Sequence, residues 1–177
     1  MPLVKAGAIV EDKFVRVADG EPVPEHGAVL VPAERFLKDA DELARREDPV
    51  GVVWPNNRNV GELEPYLPRL AVVALEFPTY KDGRAYSQAR LLRERYGFRG
   101  ELRATGQVLR DQFVFLMRAG FDALDVVKPA DALAFEEAAR RYSVFFQPTG
   151  DGRVTVARAR TGQTQHRAPA RPERVSA

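Results

Sequence analysis

Ala71-Val-Val-Ala-Leu75 is a continuous apolar run bounded by loop residues. It reads as the clearest strand of the chain. After it, Ala85, Ala89, Leu92 and Tyr96 fall on one stripe of a helix expected from about Arg84 to Tyr96. Asp82 can cap that helix, and Gly97 followed by Phe98 suits a left-handed stop. Glu101 to Thr105 reads as the next strand. Gln107 to Ala119 reads as a helix with Leu109, Phe113 and Leu116 inward, closed by Gly120.

The same alternation extends outward in both directions. Upstream, Ala28 to Val31 and Gly51 to Trp54 read as strands, Ala33 to Arg46 as a helix, and Gly61 to Leu67 as a short one. Downstream come a strand at Leu124 to Val127 and a helix over Ala130 to Tyr142. Ser143 to Gln147 and Arg153 to Ala157 flank Gly150-Asp151-Gly152 and give a C-terminal hairpin signal. Lys13 to Ala18 adds a peripheral strand. Repeated βα units require a mainly parallel sheet in an α/β domain, because each crossover returns the chain to the same end. The pattern leaves two forms open, an open doubly wound sheet or a partial (βα) barrel. Either one puts a binding site where the loops leave the strand carboxyl ends.

Composition bounds the rest. The 177 residues are 45% hydrophobic and 29% charged, ordinary for one globular domain. No apolar run approaches the roughly 20 residues of a membrane helix, and no signal-peptide pattern opens the chain. With no cysteine, the chain forms no disulfide and supplies no thiolate to an iron–sulfur cluster; a reducing, cytoplasmic setting is expected. The net charge of +2 misleads as to partners. Residues 158–177 carry +4, leaving the body of residues 1–157 at −2. That basic stretch has no apolar period and is expected to be a disordered tail after a single domain spanning residues 1–157. It has no aromatic companions, which argues against a nucleic-acid arm. Within the body, residues 1–80 hold 9 bases against 14 acids and residues 81–118 hold 9 against 4, so the middle is basic.

The loops after the strands contain Asn56, Asn57 and Arg58, then Glu76, Tyr80, Lys81, Asp82 and Arg84. Thr105, Gly106, Gln107, Arg110 and Asp111 follow, and then Lys128. Two of these loops place a glycine before a helix start beside cations, an arrangement that suits an anion. The candidate anion- or substrate-binding set is therefore Lys81, Asp82, Arg84, Arg103, Arg110 and Asp111. The competing reading is structural: Asp82 as a cap, and Arg103 paired with Asp111 or Glu101. Each loop has one glycine, far from a Walker loop or a dinucleotide fingerprint. His26 and His166 assemble no triad or zinc site, and no metal site is expected. The near-continuous apolar run Phe113 to Met117 is core by default, with a homo-oligomer interface as its alternative.

Phe77-Pro-Thr-Tyr-Lys-Asp-Gly-Arg-Ala-Tyr-Ser-Gln-Ala-Arg90, Tyr96-Gly-Phe-Arg-Gly-Glu-Leu-Arg-Ala-Thr-Gly-Gln-Val-Leu-Arg-Asp-Gln112 and Ala119-Gly-Phe-Asp122 resemble the bacterial family called domain of unknown function 934. Its members are described as oxidoreductases involved in sulfite reduction. The resemblance implies a place in sulfur assimilation and cysteine biosynthesis, and carries over no catalytic residue. Sulfite reductases use a siroheme coupled to an iron–sulfur cluster, which a cysteine-free chain does not ligate through thiolates. A flavin or nicotinamide is compatible with the chain, although neither has a recognised fingerprint in it. The expectation is an accessory or partner protein of sulfite reduction, with sulfite reductase as the partner. The alternative is an enzyme or binding module for a small anionic substrate or nucleotide at the strand carboxyl ends.

Overall fold

The structure is a computed structural model and describes residues 3–5, 8–126, 131, 133–135, 137–138, 144–149 and 154–162. Its strands are β1 (Leu3–Lys5), β2 (Ala8–Val10), β3 (Val15–Arg16), β4 (Val29–Pro32), β5 (Val50–Trp54), β6 (Leu70–Phe77), β7 (Glu101–Gly106) and β8 (Ala123–Asp125). They form one eight-stranded sheet in the order β2-β1-β8-β7-β6-β5-β4-β3. From β3 to β8 every neighbour is parallel, while β1 runs antiparallel to both β8 and β2.

That order resolves the choice left open by the sequence. A doubly wound sheet reverses its strand order part-way, whereas β3 to β8 ascend without reversal. Crossovers that do not reverse keep the helices that follow the strands on one face. Val29, Val31, Val52, Trp54, Val73, Leu75, Leu102 and Ala104 point to that face and share a core with Phe36, Ala85, Ala89, Leu92, Phe113 and Leu116. The alternate residues Leu30, Val72 and Ala74 point the other way and pack with Phe14 and Val53.

The sheet is curled into a half-barrel, and one ion pair measures the curl. Arg16 on β3 bonds the Asp125 carboxylate on β8, with four strands between them. At about 4.8 Å per strand, a flat sheet would hold these two strands about 24 Å apart. Arg103 on β7 likewise reaches Asp12 just before β3, at 2.6 Å. The N-terminal segment thus crosses the concave face and fills it with Phe14.

The helices are shorter and more broken than the periodicity suggests. The helix expected over Ala33 to Arg46 divides into α1 (Ala33–Lys38) and α2 (Ala40–Leu43). Asp39 sits between them at φ −107° and ψ 21°, its carboxylate taken by Arg35. A 3-10 helix spans Val60–Tyr66. Helix α3 (Arg84–Arg90) widens into a π turn over Leu91–Arg95, and Gly97, at φ 64°, lets the Phe98 amide return to the Leu92 carbonyl. The stretch expected as one helix from Gln107 starts instead as a 3-10 turn (Arg110–Gln112) and continues as α4 (Phe113–Ala119).

The C-terminal hairpin is not what the described residues show. Phe145 and Thr155 form an isolated bridge that is parallel, and Val156–Arg160 is a helix, α5, capped by the Thr155 hydroxyl. The glycine turn expected at residues 150–152 lies outside the described residues, as do residues 163–177 of the expected tail. Of the helix expected over Ala130 to Tyr142, residues 131, 133–135, 137 and 138 are described and are helical.

Candidate functional site

The carboxyl ends of β5 and β6 open toward α3, and the loop after β5 builds the ground between them. Asn59 Oδ1 accepts from the Gly61 amide at 3.0 Å and starts the 3-10 helix. Arg58 donates to Glu62 Oε2 from Nε and Nη2 at 2.9 and 2.7 Å, with its guanidinium 5.3 Å from the Trp54 ring centroid. The hydrogen bond to Glu62 raises the Arg58 pKa. From α3, Gln88 Nε2 donates to the Pro55 carbonyl at 3.1 Å and the Arg58 carbonyl at 2.8 Å. The loop is therefore held by its own cap at one end and by a helix glutamine in the middle.

The loop after β6 supplies the second arginine. Arg84 forks onto Asp82 through Nε–Oδ1 at 2.9 Å and Nη2–Oδ2 at 2.6 Å, and its amide lies 3.3 Å from the same Oδ1. The cap residue of α3 is Gly83, without a side-chain cap hydrogen bond, so Asp82 sits one residue ahead of the expected cap and gives its carboxylate mainly to the Arg84 guanidinium. The Arg84 guanidinium holds the Asp82 carboxyl well below the usual carboxylate range; burial opposes this, and the Arg84 amide and Asn56 add to it. Arg58, Arg84, Asn56, Ser87 and Gln88 line one pocket of about 330 Å³.

Four buried side-chain polar atoms lack a hydrogen-bond partner among the described residues: Trp54 Nε1, Asn56 Nδ2, Gln88 Oε1 and Arg46 Nε. The first three belong to the end of β5, the loop that follows it, and the helix residue that bonds that loop. Asn56 and Gln88 are only 5% and 6% exposed. Asn56 Nδ2 lies near enough to Asp82 to pull its pKa down, yet completes no hydrogen bond. Native proteins pair nearly all such atoms, so a concentration of them calls for water or a ligand.

The six residues singled out by sequence do not converge. Arg84 lines the pocket, and Asp82 holds its guanidinium from beside it. Lys81 is exposed, its ammonium 5.6 Å from the Tyr80 ring centroid. Arg110 lies 3.7 Å from Asp131, and Asp111 is exposed on the same 3-10 turn. Burial, with the Asp111 charge second, pushes the Tyr86 hydroxyl up to about 12. Arg103 is not at the rim. It sits mid-strand on the concave face, 1% exposed, bonded to Asp12 and to Glu101. Gln88 is the pocket residue the sequence reading passed over. Its signal is a polar side chain three residues after Ala85, on the stripe that packs against the sheet.

A second depression, about 520 Å³, opens on the concave face beside Arg16, Asp19, Glu34 and Glu76. Its one cation is committed to Asp125, and it has no buried unpartnered atom among the described residues. No helix of the described residues is long and apolar enough to cross a membrane, and no group of three or more metal-ligating side chains gathers among them.

Residues 51–157 match the model of a family described as bacterial protein of unknown function, DUF934. The chain belongs to that family. No curated protein matches it. The DUF934 match takes in β5 to β8, both loops of the rim pocket, and Gln88, while Asp12, Phe14 and Arg16 precede it. The matched region therefore contains every residue of the pocket but only half of each ion pair that closes the half-barrel.

Proposed function

We propose that this DUF934 protein binds a small anion at the carboxyl ends of β5 and β6, and does so as an accessory component of assimilatory sulfite reduction. The observation that carries the site is the meeting of Arg58 and Arg84 at one pocket whose lining includes Asn56 and Gln88, each with a buried amide atom unpartnered among the described residues. Each guanidinium is steadied by a carboxylate, Glu62 or Asp82, that leaves other donors of the fork free for a ligand. The link to sulfite reduction is supported by the resemblance of the Phe77 to Asp122 stretch to a family described in those terms. A chain without cysteine provides no thiolate for the siroheme-coupled cluster, which favours an accessory role over that of the reductase.

Two measurements test the two halves. Sulfite or phosphate added at about 100 times its dissociation constant should stabilise the fold by roughly 2.7 kcal/mol, and Arg84→Glu should abolish the shift. An unfolding midpoint indifferent to both anions sinks the binding site. For the accessory role, the purified chain added to sulfite reductase should change its rate of sulfite consumption saturably. A rate unchanged over a wide excess of the chain sinks that role and leaves the pocket as a free-standing binding module.

A further inference from the structure

Two atoms in the rim pocket impose a requirement that charge alone does not. Asn56 Nδ2 only donates and Gln88 Oε1 only accepts. Both side chains are more than nine-tenths buried and both line the pocket; among the described residues Gln88 Oε1 has no partner, and Asn56 Nδ2 completes no hydrogen bond although it acts on Asp82. The Gln88 amide is fixed in its orientation. Its Nε2 donates to the carbonyls of Pro55 and Arg58, so turning it over would set an oxygen against two oxygens. A ligand that satisfies the site must offer acceptors to Asn56, Arg58 and Arg84 and one donor to Gln88.

We propose that the pocket selects an oxyanion that still carries a proton, such as hydrogenphosphate or hydrogensulfite, over one that carries none. Gln88 Oε1 accepts from the ligand's proton, while Asn56 Nδ2 and the two arginines donate to its remaining oxygens. This rests on the anion site proposed above and adds its selectivity. Sulfate has no proton near neutral pH and would press a second acceptor against Gln88 Oε1. A pocket working by charge alone binds fully ionised sulfite more tightly than hydrogensulfite, and does not tell sulfate from hydrogenphosphate, since both carry two charges.

Calorimetry on the full chain separates these, using sodium phosphate, sulfite and sulfate at constant ionic strength. Phosphate should bind on both sides of its second ionisation, since both forms keep a proton. Sulfite should bind below its last ionisation and weaken about tenfold or more above it, the cost of leaving a buried acceptor facing an acceptor. Sulfate should be weaker than phosphate by a similar factor throughout. The charged side chains beside the pocket are Arg58, Glu62, Asp82 and Arg84. None is a histidine, so the response near neutrality is the ligand's own.

Asn56→Asp replaces the donor by an acceptor of the same size and touches neither loop bond of Gln88; it should weaken phosphate at least about tenfold, and the carboxylate it buries beside Asp82 should lower the unliganded unfolding midpoint. Sulfate binding as tightly as phosphate overturns the selectivity and leaves the anion site standing. So does sulfite binding that strengthens as pH rises, or phosphate binding untouched by Asn56→Asp. Failure of all three anions to bind removes the site and the selectivity together.

Discussion

Arg103 with Asp12 and Arg84 with Asp82 use the same chemistry for opposite ends. The first pair joins residues 91 positions apart across the concave face, with the Arg103 side chain 1% exposed. The second joins residues two apart at the rim, with the Arg84 side chain 57% exposed. Burial works against the Arg103 charge, and the Asp12 hydrogen bond and the charges of Glu101 and Asp12 more than offset it, so its pKa rises. A guanidinium enclosed in this way has its donors spent on the fold. One at the rim keeps donors for something else.

The comparison breaks most readily at Arg103. Arg103→Ala leaves Asp12 without its cation and Glu101 with Lys5 alone, and should cost about 3 kcal/mol, or roughly 6–12 °C in midpoint for a chain of this size. Phosphate should not change that loss. A variant as stable as the parent would mean that the N-terminal segment is held by Phe14 on Leu30, Val72 and Ala74, and that the ion pair adds little.

Next in size is Gly106, where β7 ends. It lies at φ +92°, and a Cβ there would meet the Phe77 carbonyl oxygen at 2.4 Å. The neighbouring Gln107 amide donates to that same carbonyl at 2.8 Å. Gly106→Ala should therefore cost about 1–3 kcal/mol in thermal unfolding. A smaller loss would show that the β6–β7 rim yields easily, and would weaken any claim that it presents a preformed site.

At the rim itself the expected cost is smaller and the functional effect larger. Arg84→Ala removes an exposed, solvent-screened pair that adds little to the stability of the fold. Stability should hardly move, while the stabilisation by phosphate should disappear. If Arg84→Ala instead unfolds the protein as Arg103→Ala does, the distinction between the two pairs fails.

The two arginines also mark what the sequence could tell. The strands were legible because runs such as Ala71 to Leu75 carry their own signal. Their parallel arrangement was legible because helices intervene. The curl was legible only as one of two forms, the partial barrel, because no local period encodes a contact of the range that Arg16 makes with Asp125. Arg103 looked like a rim residue for the same reason. Position in sequence places it near Gly106, but the pleat of β7 turns it to the concave face. Asp82 and Arg84 were legible as a local pair two residues apart. Gln88 required knowing that the stripe of Ala85 and Ala89 faces the loop after β5.

The smallest effect sharpens the comparison from the side of the acid. The hydrogen bond from Arg84 holds Asp82 below the ordinary carboxylate pKa, with the Arg84 amide and Asn56 contributing less. A folded-state pKa below the unfolded one means that the stabilisation is present above about pH 4 and fades as pH falls toward the folded value. Because both partners are open to solvent, this should be barely visible in unfolding curves and is better read at the residue. A carbon-13 titration of the Asp82 carboxyl should show a depressed midpoint that rises toward the ordinary value in Arg84→Ala and rises less in Asn56→Ala. Added salt should raise it too, since an exposed pair is screened. Phosphate bound to the other donors of Arg84 brings a negative charge close to Asp82 and should move the midpoint in the same direction. A midpoint that stays low in Arg84→Ala would assign the carboxylate to the loop backbone, and the rim would then resemble the concave face more than the contrast between the two arginines allows.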